Sequence, residues 1–419
     1  MSDLLERILA RARRDPDRTA VRCAGKSLTY GELVARARAP KGPYLLHHGP
    51  KSLSAAAAWL GCLRAGVPFV PLDPSWPAAR ARKVRALLDR EGALRASDAL
   101  VLFTSGSSGE PKGIPLSLAN IEYFLGWSAR LLGLGPADVL ANLAPFGFDL
   151  SILDVLGAWR AGAQVELFQR EAAYDPAGLA ARLAGEFTVV YATPSLLMRL
   201  VDRGGLSKRL ARGRLKRVVY AGEAYPPGEL GKLLRGGLDV YNFYGPTETN
   251  VCAFHRVARR DLARPAIPIG GPPAGTTLRL VGGELEVRGP GVMRGYLAGA
   301  PCRGRFRTGD RAARDEEGRL VFLGRRDRQV KFRGHRVEPG EIEAVLNALP
   351  GVRRAVVELR EGAFVAHLES SRPVGLAAAK ARLAGELPPH MSVSRLVLYP
   401  GGLPLTARGK VDARKLRAR

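Results

Sequence analysis

A loop of glycine and hydroxyl-bearing residues that ends in a lysine is the part of the chain best suited to chemistry. It runs Thr104-Ser105-Gly106-Ser107-Ser108-Gly109-Glu110-Pro111-Lys112-Gly113 and follows the apolar stretch 99–103, which we interpret as a buried strand. Glycines let backbone N–H groups approach an anion, hydroxyls add donors, and a lysine adds a positive charge. The sequence therefore predicts a phosphate-binding loop, although a short Gly/Ser segment taken alone is more typical of a flexible surface turn.

The composition around this loop is that of a globular protein. The 419 residues are 46% hydrophobic and 25% charged, and this length is typical of two or three domains. No apolar run approaches the ~20 residues that a membrane-spanning helix needs, and the N-terminus does not resemble a signal peptide. The four cysteines are scattered without C-x-x-C spacing. We therefore expect reduced thiols, a cytoplasmic location and no membrane partner.

The net charge of +26 is compatible with nucleic-acid binding and has to be weighed against a simpler interpretation. The arginines are spread along the chain without a helix-turn-helix, a zinc finger or an RNP-like strand, which favours a solvated basic surface over a nucleic-acid partner. The 94 residues from Arg326 onward carry 18 basic and 9 acidic side chains, so this segment is more basic per residue than the rest. Such a segment suits an acidic or phosphate-bearing protein partner.

Apolar runs and helix-like segments alternate over most of the chain. This alternation predicts an α/β fold with a buried, largely parallel sheet. The stretch 305–323, with Gly318 between two β-prone pieces, is typical of a hairpin, and from about residue 329 the pattern restarts as an α+β unit. The expected strands are 99–103, 187–192 and 215–221, and the expected helices are 118–132, 151–160, 176–184 and 338–349.

Further short motifs flank the glycine-rich loop in a fixed order. They are Leu-Thr-Tyr-Gly-Glu-Leu at 28–33 and Arg-Ala-Gly-Val-Pro-Phe-Val-Pro-Leu-Asp-Pro at 64–74 before it, and Asn-Phe-Tyr-Gly-Pro-Thr-Glu-Thr at 242–249, Thr-Gly-Asp at 308–310, Gly-Arg-Arg-Asp-Arg-Gln-Val-Lys at 324–331 and Leu-Pro-Leu-Thr-Ala-Arg-Gly-Lys-Val-Asp at 403–412 after it. Together they resemble the adenylate-forming (ANL) enzyme superfamily, and within it the adenylation domains of nonribosomal peptide synthesis. The resemblance covers nearly the whole chain, and this many motifs in family order make coincidence negligible.

The resemblance implies a division into two domains. Residues 1–326 would form a large domain of layered α/β subdomains with a small β-hairpin-rich barrel, and residues 327–419 a small, mobile α+β domain. The N-terminal half is compact for the family, because only 29 residues lie between Pro74 and Thr104.

The resemblance also assigns residues to ATP and Mg²⁺. The loop with Thr104 and Lys112 would hold the β- and γ-phosphates, Glu248 would be the Mg²⁺ ligand, and Asp310 would accept hydrogen bonds from both ribose hydroxyls. Taken alone, each of these two carboxylates is more typical of a plain turn, and only its motif favours a functional role. Tyr244 would stack on adenine, although an aromatic residue here could instead belong to the core. The implied ATP-binding set is Thr104, Ser105, Gly106, Ser107, Ser108, Gly109, Lys112, Gly222, Glu223, Asn242, Tyr244, Thr247, Asp310 and Arg325.

Three further residues are implied at the small domain. Lys410 matches the family's catalytic lysine, which bridges the carboxylate, the α-phosphate and the ribose, whereas Lys415 is interpreted as a solvated lysine. Asp327 matches the hinge aspartate, about which the small domain turns between the two half-reactions. Gly334 would line the tunnel for a phosphopantetheine arm.

The segment Phe146-Gly147-Phe148-Asp149-Leu150-Ser151 matches the family's substrate-recognition segment. In members that activate amino acids, the aspartate here pairs with the α-ammonium group, although Asp149 also suits a helix N-cap. The carried-over pocket is otherwise apolar and is similar to that of the stand-alone enzymes that load L-proline. Its residues are Asp149, Leu150, Leu153, Tyr191, Val219, Ala221, Phe243, Val251, Cys252 and Lys410.

The chain ends nine residues after Lys410, without a carrier, condensation or thioesterase motif. We therefore expect activation of an amino acid, L-proline, to aminoacyl-AMP with ATP and Mg²⁺, and transfer to a separate carrier protein. Two alternatives are an acyl- or aryl-CoA synthetase of the same superfamily, against which Asp149 argues, and a non-catalytic scaffold or basic binding module. The motif residues Lys112, Glu248, Asp310 and Lys410 argue against the scaffold.

Overall fold

The computed structural model describes residues 2–106, 110–297, 299–404, 411 and 415–416. In this part of the chain the α-helices are α1 Asp3–Arg14, α2 Tyr30–Arg36, α3 Leu53–Ala65, α4 Ala78–Leu88, α5 Leu118–Leu132, α6 Ala158–Ala161, α7 Pro176–Glu186, α8 Pro194–Asp202, α9 Leu206–Arg209, α10 Pro227–Leu234, α11 Pro339–Asn347 and α12 Leu376–Glu386. A π-helical turn covers Ile152–Gly157, and short 3₁₀ turns cover Arg170–Tyr174, Leu210–Arg212, Arg259–Ala263 and Pro389–Met391.

The strands of the described residues form five sheets. They are β1 Thr19–Cys23, β2 Lys26–Thr29, β3 Leu45–His48, β4 Phe69–Leu72, β5 Asp98–Thr104, β6 Lys112–Ser117, β7 Val139–Asn142, β8 Gln164–Leu167, β9 Val189–Ala192, β10 Arg217–Tyr220, β11 Asp239–Tyr244, β12 Ala253–Arg256, β13 Thr277–Val281, β14 Glu284–Arg288, β15 Arg305–Arg314, β16 Leu320–Arg325, β17 Val330–Phe332, β18 His335–Val337, β19 Val352–Arg360, β20 Ala363–Ser370 and β21 Val393–Leu398.

Contacts divide the chain into two compact units. The large unit takes the described residues of Met1–Pro74, Arg90–Phe103 and Gly113–Asp327, and the small unit takes those of Ser75–Asp89, Thr104–Lys112 and Arg328–Arg419. Two early segments thus belong with the C-terminal part of the chain, which the motifs alone do not indicate. The division into domains at 326 and 327 stays a prediction.

The main sheet of the large unit has eight strands in the order β12-β11-β10-β9-β7-β8-β1-β2. Its six inner strands, from β11 to β1, are parallel, and the edge strands β12 and β2 are antiparallel to their neighbours. Strands at the centre of a parallel sheet are buried on both faces, because helices or other layers cover each side. All four residues of β9 are buried, for example. The carboxyl ends of the parallel strands therefore meet at one edge, where binding sites of such sheets lie.

Two four-stranded sheets complete the large unit's strand architecture. One has the order β3-β4-β5-β6, with β3, β4 and β5 parallel. The other, β13-β14-β15-β16, is an antiparallel meander and corresponds to the expected hairpin-rich part. In its last hairpin, Gly318 has a φ of +76°, which a glycine adopts at little cost. The α/β class, with a large N-terminal and a small C-terminal part, is thus confirmed.

The helix expected over 151–160 is the clearest local difference. The structure has a π-helical turn at Ile152–Gly157, followed by only one α-helical turn at α6. Apolar spacing predicts a helix here but does not distinguish a π turn from an α turn, since both bury one face. π turns often occur at functional sites. By contrast, α5 begins and ends where expected, with a capping box at Ser117 and a left-handed Gly133 at its end.

The small unit is an α+β arrangement with its own core. Strands β19, β20 and β21 form a three-stranded sheet, and α11 and α12 pack against its apolar residues. An early segment is fixed to this unit by a buried ion pair between Arg80 of α4 and Glu341 of α11. Burial raises the pKa of Glu341, while the Arg80 charge opposes that shift. Because removing one partner would leave a buried charge, this pair makes α4 an integral part of the unit.

A buried histidine in this sheet predicts acid sensitivity. His367 of β20 is 0% exposed, and burial lowers its pKa below the ordinary 6.5, while Glu358 opposes the shift. Below pH 6.5 the unfolded chain binds a proton that the folded protein does not. As the pH is lowered, the free energy of unfolding should therefore decrease by up to about 1.4 kcal/mol per pH unit, until the pH is below the folded-state pKa of His367. We expect a shallower fall in His367→Gln than in the wild type, measured by urea unfolding from pH 7 to pH 5.

The exposed His48 provides the control for this experiment. His48→Gln should retain the wild-type pH dependence. Equal slopes in the wild type and His367→Gln would show that His367 does not cause the acid sensitivity.

None of the described helices combines the length and the apolarity that a membrane crossing requires.

Candidate functional site

Three groups of site residues predicted from the sequence lie in the large unit: a carboxylate on β15 with its partners, a carboxylate in the turn after β11, and an apolar wall at the carboxyl ends of β9, β10 and β11. A fourth group, at the glycine-rich loop, lies in the small unit.

Asp310 of β15 is the centre of the first group. It is 2% exposed and faces Arg325 directly across the β15–β16 ladder. The Tyr244 hydroxyl donates a hydrogen bond to Asp310 Oδ2, and the Arg325 guanidinium donates one to Oδ1. A buried carboxylate held from both sides has a fixed orientation, which is what recognition of two neighbouring hydroxyls requires.

Arg325 connects this carboxylate to the predicted hinge residue. Its Nε and Nη2 donate to the two carboxylate oxygens of Asp327, both at 2.7 Å. Burial works against the charged guanidinium, but Asp327 and Asp310 together outweigh it and raise the pKa of Arg325. Gly309, with a φ of +75°, makes room for this arrangement, because a Cβ there would lie 2.6 Å from Arg325 Nη2. The predicted ribose and hinge aspartates thus share one arginine.

Tyr244, the residue expected to stack on adenine, packs in the core of the large unit and binds the buried carboxylate of Asp310. Its ring packs in an apolar cluster near Phe322, with the ring centroids 6.4 Å apart, and its hydroxyl is bound to Asp310. Burial first, and then the Asp310 charge, raise the pKa of this hydroxyl, so that it remains a donor. Stacking on adenine stays a prediction, and the hydrogen bond to Asp310 was not foreseen.

Three further residues of the predicted ATP-binding set lie in β11 or just after β10. The Asn242 amide of β11 donates to the carbonyl of Pro268 at 2.9 Å, and Gly222, just after β10, has a φ of +92°. Glu223 accepts from the backbone N–H of Ser195 at the start of α8, at 2.9 Å, and from its hydroxyl. These contacts fix the strand ends, while a role in ATP binding stays a prediction for each residue.

Glu248 lies in a tight turn after β11, near Thr247. The turn depends on Gly245, because a Cβ there would collide with the carbonyl oxygen of Asn250. Glu248 is 0% exposed, its Oε1 accepts a hydrogen bond from the Tyr296 hydroxyl at 2.6 Å, and its backbone carbonyl accepts from Met293 at 2.8 Å. The contact with Tyr296 has no signal in the sequence, because the two residues are 48 positions apart.

The residues present fit a magnesium ion held mainly by its substrate. Among the described residues no group of three His, Cys, Asp or Glu side chains could hold a metal by itself. Mg²⁺ in phosphoryl chemistry is typically bound through one or two carboxylates together with substrate phosphates. A buried carboxylate such as Glu248, oriented by a hydroxyl donor, is a suitable hard oxygen ligand.

Most residues of the predicted substrate pocket belong to the main apolar core of the large unit, while their role in binding a substrate stays a prediction. Tyr191 of β9, Val219 of β10 and Phe243 of β11 lie on neighbouring strands, and the Tyr191 and Phe243 rings are 5.9 Å apart, nearly edge to face. Asp149 directly precedes Leu150, a member of this cluster, and burial raises the pKa of the Tyr191 hydroxyl, with the Asp149 charge adding to that shift. The members in this cluster are Leu150, Leu153, Tyr191, Val219, Ala221, Phe243 and Val251, and Cys252 belongs to the neighbouring cluster around β13–β16.

The first residues of the glycine-rich loop are fixed within the small unit. The Ser105 hydroxyl donates to the backbone carbonyl of Arg336 at 2.7 Å, and Gly106 donates a backbone hydrogen bond to Glu341. Thr104 has a buried hydroxyl oxygen with no partner among the described residues, which leaves it available to a ligand. Lys112 begins β6. The predicted residues Ser107, Ser108 and Gly109 lie outside the described residues.

Gly334, the predicted tunnel residue, connects β17 and β18 with a φ of +82°. Lys410 lies outside the described residues, so its role stays a prediction from its motif.

Comparison with known proteins finds similar sequences over nearly the whole chain. Residues 87–297 match a sequence family described as AMP-binding enzyme. The chain is 37% identical to an L-proline--[L-prolyl-carrier protein] ligase of Streptomyces coelicolor, over 94% of this chain and 82% of the relative. It is 32% identical to a ligase of the same description from Pseudomonas fluorescens, over 98% of each chain.

Solved structures give the same fold. A protein containing adenylation and PCP domains, PA1221, superimposes with a TM-score of 0.83 and 26% identity, over 99% of this chain and 84% of that chain. A Vibrio cholerae adenylation domain, AlmE, in complex with glycyl-adenosine-5'-phosphate has a TM-score of 0.85 over 99% and 98% of the two chains. Its 19% identity makes it a comparison of fold alone.

Proposed function

The chain belongs to the family of AMP-binding enzymes, and from this premise we propose that it activates L-proline with ATP and transfers the prolyl group to the phosphopantetheine thiol of a carrier protein. The observation that carries the proposal is the nearly full-length similarity to two proline–carrier-protein ligases. The apolar wall with a carboxylate beside it is suited to proline, since a secondary ammonium pairs with the carboxylate and the ring needs only apolar contacts.

The first half-reaction joins two anions. A substrate carboxylate oxygen bonds to the α-phosphorus, the bond from that phosphorus to the bridging oxygen breaks, and pyrophosphate leaves with the electron pair. Asp310 would orient the ribose, and the loop with Thr104 and Lys112 would hold the phosphates. When bound at Glu248, Mg²⁺ would offset the phosphate charge. We assign to Lys410 the role of a positive charge beside the α-phosphate, which would stabilise the negative charge that develops there in the transition state.

The second half-reaction exchanges the leaving group. The carrier thiolate attacks the acyl carbon, AMP leaves, and a thioester forms. In the proposal, Asp327 is the hinge between two orientations of the small domain, and Gly334 lines the path of the phosphopantetheine arm. The excess of basic over acidic residues from Arg326 onward is consistent with an acidic carrier protein.

The decisive test is amino-acid-dependent ATP–pyrophosphate exchange with the twenty amino acids, salicylate and a fatty acid. A proline signal is the expected result. Exchange with a different amino acid would support adenylation but contradict the pocket assignment. No exchange with any of the acids would contradict the proposed enzymatic activity. Thioester formation with a carrier protein rather than free coenzyme A would separate the proposal from an acyl-CoA synthetase.

Asp149 provides a sharper test of the pocket. Loss of a charge-assisted hydrogen bond, about 1.5–3 kcal/mol, should raise the KM for proline about 10- to 100-fold in Asp149→Ala and leave the KM for ATP nearly unchanged. The measurement is the exchange rate as a function of each substrate.

The matched control for Asp149 is Asp175, an exposed aspartate that caps α7 through the Gly178 N–H at 2.9 Å. Asp175→Ala removes a helix cap without touching the pocket, and both KM values should remain at wild-type level. An unchanged proline KM in Asp149→Ala would mean that Asp149 is only a cap.

A further inference from the structure

A buried polar network lies directly beside the proposed amino-acid pocket and is not used by the proposed mechanism. Its centre is Lys51, whose Nζ donates to the Asn142 carbonyl at 2.8 Å, to Asn142 Oδ1 at 2.9 Å and to the Ala144 carbonyl at 3.0 Å. Three acceptors match the three N–H groups of an ammonium. The Asn142 amide in turn donates to Asp154 Oδ2 at 3.1 Å. One lysine thus connects the end of β7 to the segment that leads to Asp149.

The two ionisable members of the network, Lys51 and Asp154, interact electrostatically. Asp154 is 1% exposed, and burial raises its pKa, while the Asn142 hydrogen bond and the Lys51 charge oppose that shift. Burial lowers the pKa of Lys51 to about 7, and Asp154 opposes this as well. Burial disfavours the charged form of each group, and the charge of the other opposes that effect, so a change at one of them is felt at the other.

The network holds the chain on both sides of the recognition segment 146–151. Lys51 binds the carbonyl of Ala144, two residues before the segment, and Asp154 lies in the π-helical turn after it, next to the pocket residue Leu153. Between them, the Ser151 hydroxyl oxygen lies 3.1 Å from the Phe146 carbonyl and 2.6 Å from the Phe148 carbonyl. The segment that presents Asp149 is therefore held at three points along its length.

The backbone of Lys51 is also held by neighbouring side chains. Its backbone carbonyl accepts a hydrogen bond from the Gln169 amide at 2.6 Å, and the Cys23 thiol lies 3.6 Å from the same oxygen. The network also reaches the pocket wall, because the Asp149 and Asp154 charges both act on the Tyr191 hydroxyl. A displacement of Asp154 would thus move the neighbouring pocket residue Leu153 and change the electrostatic environment of the Tyr191 hydroxyl.

We propose that Lys51, Asn142 and Asp154 are positioning residues that set the placement of Asp149 and Leu153, and hence the affinity for the amino acid rather than for ATP. This inference rests on the proposed function. A misplacement of about 1 Å can cost up to about 100-fold in rate, so a supporting network of this kind has a measurable effect.

The test compares KM values in ATP–pyrophosphate exchange, using the wild-type enzyme's best amino acid. Lys51→Met should raise the amino-acid KM at least about 10-fold and change the ATP KM less than about twofold. Adding Asp154→Asn should recover part of the loss, since no uncompensated carboxylate remains. If Lys51→Met does not fold, the isosteric Asp154→Asn alone should show the same selective rise.

The matched control is the ion pair of Arg217 with Asp138 at 3.0 Å, at the amino ends of β10 and β7 and so at the opposite edge of the same sheet. Arg217→Met should lower stability and leave both KM values unchanged. If the Lys51 and Asp154 variants lower stability alone, or raise both KM values equally, the inference is wrong while the proposed function stands. If the wild type shows no ATP–pyrophosphate exchange with any acid, both the inference and the proposed function are wrong.

Discussion

Asp310→Ala should raise the KM for ATP about 100-fold or more and leave the KM for the amino acid nearly unchanged. Its carboxylate is buried and held by Tyr244 and Arg325, so that both oxygens have fixed directions. Two charge-assisted hydrogen bonds to a ribose contribute about 3–6 kcal/mol together, and about 1.4 kcal/mol corresponds to a tenfold change. The ATP dependence of the exchange reaction measures this effect.

2′-DeoxyATP makes the test specific to the ribose. The wild type should bind 2′-deoxyATP about tenfold more weakly than ATP. Asp310→Ala should bind the two nucleotides about equally, because the 2′-hydroxyl has no partner left to lose. Asp315 is the control carboxylate, since it lies just after β15 and is likewise held by two side-chain donors, which here are Arg264 and Arg319. If the penalty for 2′-deoxyATP is equal in the wild type and Asp310→Ala, Asp310 does not contact the ribose.

Lys410→Ala should lower the rate of adenylate formation about 100- to 1,000-fold, which is the usual cost of losing one group that stabilises developing charge. Transfer from synthetic aminoacyl-AMP to the carrier should remain measurable, because the phosphorus has already reacted. Assaying the two half-reactions separately measures this difference. This prediction rests on the motif at 403–412, since the structure does not describe the residue.

Lys415, five positions later and exposed, is the matched control. Lys415→Ala removes an equal charge from the same part of the chain and should leave both half-reactions intact. Equal losses in the two half-reactions of Lys410→Ala would contradict its assignment to the first of them.

Local signals in the sequence predicted the elements that carry the site. The apolar run at 99–103 is the core of β5, and the periodic stretch at 118–132 is α5, whose capping serine and terminal glycine are adjacent in sequence. Asp310 and Arg325 were also predicted from motifs. Their direct pairing depends on the register of β15 and β16, which is set by tertiary packing.

What the sequence did not predict is long-range and polar. Tyr296 binds Glu248, and Lys51 reaches across to Asn142, 91 residues away. A single tyrosine or lysine in one sequence has no periodic or spacing signal, because its role is decided by the fold around it. The same holds for the π-helical turn at Ile152–Gly157, since the apolar pattern that buries it is that of any buried helix.

The ion pair of Arg80 and Glu341 has a consequence for the order in which the protein can be made. The two residues are 261 positions apart, and at about 5–20 residues per second roughly 13–50 seconds of synthesis separate them. During that time Arg80 has no Glu341 to pair with, whereas the last core residue of the main apolar cluster, Met293, has already been added. The small unit can therefore be completed only after Glu341 and the strands that follow it have been synthesised, so a nascent chain truncated before Glu341 would lack the partner that buries Arg80.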